Sequence, residues 1–391
     1  MTLIEVIFWL SIFIVFYAYL GYGIFLFIII KIKRLLSKNA IEYDSDYLPS
    51  VALIVPCFNE EDYIEEKILN SKALDYPEDK LEIIFISDGS DDSTPEIIKA
   101  YQNNGIIPMH ENRRAGKAAA MNRAVENTKA DILVFCDANT DLNQAAIREI
   151  VKHYANSKVG AVAGQKRIVE KASDSASGAG EGFYWKYESA LKKWDSELYT
   201  VVGAAGELMS YRKSLYEELE PDTLLDDFMQ SMRVCEKGFT VKYEPDANAT
   251  ETASANVKEE LKRKIRISAG GWQSMFRLTK AANPFHNFTL WFQYISHRVL
   301  RWSLAPLLLF VLLGLNITLA LESVFYTIIL ILQVLFYAMA LLGWFLENRS
   351  IRLKILYIPY YFFVMNYSVY MGFIRFMKGS QSALWERAKR G

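Results

Sequence analysis

The chain is short of the residues that build several common kinds of site. It has three cysteines, Cys57, Cys136 and Cys235, far apart in sequence and without zinc spacing, two of them in expected buried strands. That pattern fits reduced thiols in a cytoplasmic compartment. Four histidines in 391 residues leave little material for a histidine-rich metal centre. No sign of charge prevails. The net charge of −1 removes the bulk electrostatic case for a nucleic-acid partner. No Walker spacing is present, and no Gly-x-Gly-x-x-Gly turn follows the first strand, so neither a P-loop nor an ordinary dinucleotide site is expected.

What the chain has in plenty is apolar surface: 52% hydrophobic residues and 14% aromatics, unevenly placed. From Thr2 to about Ile30 the only charge is Glu5, a run long enough to span a bilayer as a helix. It is too long for a cleaved leader and lacks a basic start and a small-residue cleavage site. Lys31, Lys33, Arg34 and Lys38 follow at once and put this end on the cytoplasmic side. We therefore expect a membrane helix over 1–34. An aromatic and basic stretch over 284–302, with Phe285, Trp291, Tyr294, Trp302 and Arg298, reads as an interfacial segment. About three spanning helices are expected over 303–377, although the last, with Pro359 and many tyrosines, suits an interfacial or polar-path setting as well. A basic tail over 378–391 then conflicts with the positive-inside tendency if every run crosses.

Between these segments, 48–283 reads as one globular domain. Val51–Val55, Leu81–Ile86, Ile106–His110 and Ile132–Cys136 are expected strands, alternating with helices at Glu60–Ala73, after Thr94 as N-cap, at Gly116–Asn127 and at Gln144–Tyr154. Such alternation predicts an α/β fold with a mostly parallel sheet covered on both faces. Ligands in such sheets bind beyond the carboxyl ends of the strands, and there the polar residues gather. Pro56-Cys57-Phe58-Asn59-Glu60 ends the first strand and Asp88 the second. Arg113-Arg114-Ala115-Gly116-Lys117 turns into a helix start, where an N-terminus and a cation both favour phosphate. Asp137 and Asn139 end the fourth strand. Two residues apart in extended backbone, they point the same way and offer oxygens suited to Mg²⁺ or Mn²⁺. Capping of the following helix is the alternative role for each of these acids.

The set Pro56–Glu60, Asp88, Gly116-Lys117 and Asp137-x-Asn139 resembles the family 2 glycosyltransferases. Within them it is similar to the membrane-embedded branch of cellulose, hyaluronan and poly-N-acetylglucosamine synthases. The resemblance implies a GT-A (Rossmann-like nucleotide-diphospho-sugar transferase) domain flanked by transmembrane helices. It implies that Pro56, Asn59, Glu60 and Asp88 meet the nucleotide, that Gly116 and Lys117 lie near its diphosphate, and that Asp137 and Asn139 hold the divalent cation. The family has a second Asp where Asn139 stands, and Asp141 is a nearby substitute. Asp226-Asp227 matches the family's acidic pair, in which the second member is the general base, and Gly203–Leu208, with Gly206, the acceptor-side segment. Processive members carry Gln-x-x-Arg-Trp; here Arg263 and Ile267 replace the glutamine and tryptophan, Arg266 is kept, and Trp272 follows later.

The function implied is inverting transfer of a sugar from a nucleotide-diphosphate donor, a UDP-sugar, to a glycan or membrane-associated acceptor in polysaccharide or cell-envelope biosynthesis. Single addition to a lipid acceptor such as a polyprenyl phosphate is the alternative. The implied location is a plasma membrane, the bacterial inner membrane, with the catalytic domain in the cytoplasm.

Overall fold

A computed structural model describes residues 2–36, 46–169, 177–204, 206–252, 257–347 and 353–382. Lys38, Ala205, the stretch Asp174–Ala176, the loop after Glu347 and the tail beyond Ser382, with its Arg387, Lys389 and Arg390, lie outside the described residues.

Eight strands form one sheet among the described residues: β1 Val51–Cys57, β2 Leu81–Asp88, β3 Ile106–Glu111, β4 Ile132–Cys136, β5 Asp141–Leu142, β6 Val159–Val169, β7 Leu208–Arg212 and β8 Thr240–Thr252. Their order is β3-β2-β1-β4-β7-β6-β8-β5. The first four run parallel, as the alternation with helices predicts. In the other half β6 and β8 are also parallel, so four of the seven pairings are parallel, as expected. β7 is antiparallel to both β4 and β6, and β5 to β8, so the sheet is mixed.

Successive residues of β1 enter different cores. Ala52 and Ile54 pack on the side of the helices Lys117–Glu126 and Asp226–Glu236, whereas Val51, Leu53 and Val55 pack on the side of Ile64–Lys72. A strand buried on both faces reads as a continuous apolar run, which is why β1, β2 and β4 are so plain in the sequence.

The strand order reverses between β1 and β4. Pairing of β1 with β2 runs to Cys57↔Ser87, whereas pairing with β4 stops at Ile54↔Phe135. The sheet therefore opens at the carboxyl ends of these two strands, the position where open α/β sheets bind ligands.

The amino-terminal run is helical from Leu3 to Leu36, 34 residues with a π-turn at Tyr17–Gly21. About 20 residues suffice to span a bilayer, so this helix is longer than a single span requires. Its second half is accounted for by the domain: Tyr22 and Leu26 are buried against Leu191. Glu5, the one charge in the run, closes a capping box with Thr2 and accepts a hydrogen bond from Tyr326 Oη at 3.1 Å.

Among the described residues two helices, Leu3–Leu36 and Val324–Glu347, are long and apolar enough to cross a membrane. A third span is added if Phe288–Trp302 and Leu304–Ala320, bent by 51°, count as one. The segment expected to be interfacial buries Leu290, Gln293, Tyr294 and His297 against the domain and leaves Phe285 and Phe288 exposed. Lys354–Met377 is helical through Pro359 and lies along the helix Val257–Arg277. Unlike the expected third run, it is not among the helices apolar enough to span, because Asn366, Arg375 and many tyrosines dilute it.

Candidate active site

The end of β1 is locked to the loop after β2. Asn59 takes a left-handed conformation with φ 53°. Its amide N–H donates to Ser90 Oγ (3.1 Å), its Nδ2 donates to Asp91 Oδ1 (2.6 Å), and its Oδ1 accepts from Asp91 N–H (3.0 Å). Glu60 N–H donates to Thr94 Oγ1 at 2.8 Å. Thr94, expected as a helix N-cap, thus caps nothing; its hydroxyl holds Glu60 in place. Pro56 is buried within β1, one pair short of the strand end, and Glu60 is half-buried beyond it.

Asp88 is completely buried. Its Oδ2 accepts from the N–H groups of Ala115 (3.0 Å) and Gly116 (2.6 Å), and its Oδ1 from Arg123 Nη2 (2.8 Å). The resemblance implies that this carboxylate meets the nucleotide; here its oxygens accept from the chain's own donors. It pins the turn in which Gly116, at φ 98°, occupies a conformation side chains avoid, and so aims the helix that starts at Lys117.

Lys117 is the centre of the cleft. Its Nζ donates to Asp137 Oδ1 at 2.7 Å and lies 3.8 Å from Asp226 Oδ2. Burial works against its charge, but Asp137, Asp226 and Asp227 more than offset that and raise its pKa. Asp137 and Asn139 are both half-exposed. β4 ends at Cys136, however, and 137–140 form a turn in which Thr140 N–H donates to the Asp137 carbonyl (3.3 Å), so a turn and not the expected extended backbone aims their side chains. Asp227 opens the helix Asp226–Glu236, and its Oδ1 accepts from Phe228 N–H at 2.7 Å. Burial, then the adjacent Asp226, push its carboxyl up to about 7. A Cβ added at Gly206 would stand 3.1 Å from Asp227 Oδ2, so the small residue keeps the space beside this carboxylate open.

Residues 52–220 match the model of glycosyl transferase family 2. These residues form a family 2 glycosyltransferase domain. The poly-beta-1,6-N-acetyl-D-glucosamine synthase of Staphylococcus aureus is 28% identical over 276 residues, 68% of this chain and 65% of that protein. The synthase of the same name from Staphylococcus epidermidis is 25% identical over 265 residues, 65% of this chain and 62% of that protein. The chain therefore spans somewhat under two thirds of the length of these curated relatives. A mannosyltransferase from Pyrobaculum calidifontis, solved with GDP-Man and Mn²⁺, superposes with a TM-score of 0.73 at 22% identity, over 97% of this chain and 100% of that one. The likeness shows the fold, GT-A.

Beyond the matched residues, the helix Val257–Arg277 carries the motif positions Arg263 and Arg266 and, later, Trp272. Arg263 is held by Glu260 through two bonds, 2.9 and 3.1 Å. Arg266, one turn further along Val257–Arg277, is half-buried. Trp272 packs on Phe373 with ring centroids 4.7 Å apart, turned towards the carboxyl-terminal helix.

Two residues, Lys166 and Glu251, gain a place here that the sequence had not given them, beside Glu207 of the acceptor-side segment. Glu207, next to Gly206, pairs with Lys166 at 2.5 Å; Lys166 also pairs with Glu251. The second oxygen of Glu207, Oε2, is buried and lacks a hydrogen-bond partner. Lys166, Glu207 and Glu251 come from β6, the β7 approach and β8, strands whose pairing joins distant parts of the chain.

A divalent cation fits the Asp137–Asn139 pair on the chemistry of its donors. Both offer hard oxygens in the turn just past the end of β4, and the Lys117 ammonium already sits on Asp137 as a stand-in cation. Another carboxylate group, Glu149, Glu244 and Asp246, lies within cation-holding distance of itself, but the Lys152 ammonium already pairs with Glu149 and Glu244 there.

Proposed function

We propose that this chain is an inverting glycosyltransferase. It moves a sugar from a nucleotide-diphosphate sugar, a UDP-sugar, to a glycan or membrane-associated acceptor in polysaccharide or cell-envelope biosynthesis. The observation that carries this reading is the juxtaposition at the strand ends: a carboxyl poised near 7 beside an open glycine, with Lys117 and Asp137 on the adjoining side.

In this reading, Asp227 takes the proton of the acceptor hydroxyl as that oxygen bonds to the anomeric carbon. The bond from that carbon to the diphosphate breaks on the opposite face, which inverts the configuration. Lys117 exchanges Asp137 for the departing diphosphate, and Arg266 approaches it from the helix above. A divalent cation on Asp137 and Asn139 would neutralise further charge on the leaving group. Glu60 and the Asn59 loop shape the nucleotide's side of the cleft, and Asp88 holds Gly116-Lys117 in register.

The domain is proposed to face the cytoplasm from a plasma membrane. In support, Lys33 and Arg34 at the end of the first helix bind Glu197 of the domain, the former at its carbonyl (2.5 Å) and the latter at its carboxylate (2.6 Å). One specific observation favours single addition, as to a lipid-borne acceptor, over elongation: Ile267 stands in the motif tryptophan's place and Trp272 is engaged with Phe373.

Incubating membranes carrying the full chain with labelled UDP- and GDP-sugars, then sizing the product, tests the proposal. Transfer from a UDP-sugar in wild type, lost at least about 10³-fold in Asp227→Asn with nucleotide affinity retained, is the expected result. Undiminished turnover in Asp227→Asn would overturn the assignment of the base.

A further inference from the structure

The turn that carries Asp137 and Asn139 rests on the helix Ile64–Lys72, which follows directly on the loop that ends β1. The start of this helix is tied to that loop: Tyr63 and Ile64 both donate their N–H to the Glu60 carbonyl at 2.9 Å. Its next two turns reach the segment 136–142.

Lys67 is 1% exposed. Its ammonium donates to the Thr140 carbonyl (2.6 Å), to Cys136 Sγ (3.1 Å) and to Asn70 Oδ1 (3.5 Å). An ammonium has three donors, and each finds an acceptor here. No carboxylate pairs with it among the described residues. Burying a charge without a counter-charge is costly, and apolar packing alone would not require it.

Asn70, three residues on, holds the next part of the same segment. Its Nδ2 donates to the Leu142 carbonyl (2.9 Å), and its Oδ1 accepts from the Leu142 N–H (3.0 Å). Within the turn, the N–H (3.3 Å) and Oγ1 (2.9 Å) of buried Thr140 both donate to the Asp137 carbonyl. The carbonyls of Asp137, Thr140 and Leu142 are thus engaged on the inner side. The half-exposed side chains of Asp137 and Asn139 stand on the outer side, where Asp137 meets Lys117. Because β4 has ended at Cys136, no strand pairing fixes 137–140, and these bonds set its place.

We propose that Lys67 and Asn70 are positioning residues for the donor's diphosphate and its divalent cation. They act through the turn that carries Asp137 and Asn139. One short helix then sets both sides of the donor site, its start at the Glu60 loop and its later turns at the Asp137–Asn139 turn. The inference rests on the transferase reading above and deepens it on the cation's side of the cleft.

The test reads binding instead of turnover. UDP and GDP are titrated calorimetrically into the full chain in detergent, once with Mn²⁺ and once with a chelator. In wild type, Mn²⁺ is expected to tighten the nucleotide that binds. Lys67→Met, similar in length and uncharged, is expected to weaken binding in Mn²⁺ about tenfold and binding under chelator less than about twofold, as for a group that orients a metal's ligands. Asn70→Ala leaves the ammonium in place and is expected to weaken the Mn²⁺ arm about threefold, the effect of losing neutral hydrogen bonds. Thermal unfolding of each variant accompanies the titrations. A lowered unfolding temperature with both affinities unchanged, or an equal loss in both arms, assigns the pair to stability alone and overturns the proposal. If Lys67→Met does not fold, Asn70→Ala decides by the same comparison. Wild type that binds equally with and without Mn²⁺ keeps the transferase reading and overturns the positioning role. Wild type that binds neither nucleotide in either arm overturns the transferase reading itself.

Discussion

At Asp227, burial and Asp226 hold the proton on, while Lys117 and the Phe228 N–H favour its release. The base acts only when deprotonated, and its carboxyl lies at about 7, so kcat/KM is expected to fall about tenfold per pH unit below that point and to level off above it. Asp226→Asn removes the neighbouring negative charge and should move the acid limb to lower pH. A pH profile of the two proteins checks this; an unmoved or rising midpoint contradicts it. Asp88 makes a different kind of prediction. With three donors converging on a carboxylate of 0% exposure, Asp88→Ala leaves them unmatched and is expected to cost about 3–5 kcal/mol. Thermal unfolding reads that loss, whereas a carboxylate serving the nucleotide alone would lower donor affinity and spare stability.

At the level of elements, the helix Val257–Arg277 takes its position from the carboxyl-terminal helix Lys354–Met377. Gly372 permits the contact: a Cβ there would meet Ser268 Cβ at 2.5 Å and Ala269 N at 2.7 Å. Gly372→Leu should push the two helices apart and carry Arg266 with them, raising the donor KM about tenfold with Asp227 untouched. Initial rates against donor concentration measure this, and an unchanged KM would detach Arg266 from the diphosphate.

That coupling was illegible in the sequence, where helix and partner lie about a hundred residues apart. The parallel half of the sheet was legible because β1, β2 and β4 are apolar runs buried on both faces and stop at acids or amides. β6 and β8 were not. β6 is rich in glycine and alanine, β8 is polar and contains Pro245, and their ladder shifts register between Gly164 and Gln165. For the same reason Asp137, Asp227 and Lys117 announced themselves at a strand end and at helix starts, whereas Lys166 and Glu251 emerged only when distant strands came together.

Across the whole molecule, the membrane and catalytic parts share a buried polar junction. Tyr22 of the first helix, Asp195 of the domain and His297 of the segment Phe288–Trp302 meet at one carboxylate, and none is more than 1% exposed. The first helix also contributes Leu26 to the cluster with Leu191. Removing the helix would therefore bare an apolar face and take one donor from a buried acid, a loss unlike that of a detachable anchor. Two variants separate these contributions. Tyr22→Phe keeps the ring and deletes the hydroxyl, and is expected to cost about 1.5–3 kcal/mol, the worth of a hydrogen bond to a charged group. Leu26→Ala keeps the polar junction and opens the apolar contact, at about 2–5 kcal/mol. Unfolding of the full chain in detergent, followed through the aromatic signal of the catalytic domain, should show both losses in one transition. If either variant loosens only the membrane part and leaves the domain's transition in place, the junction is a tether and not part of the domain's core.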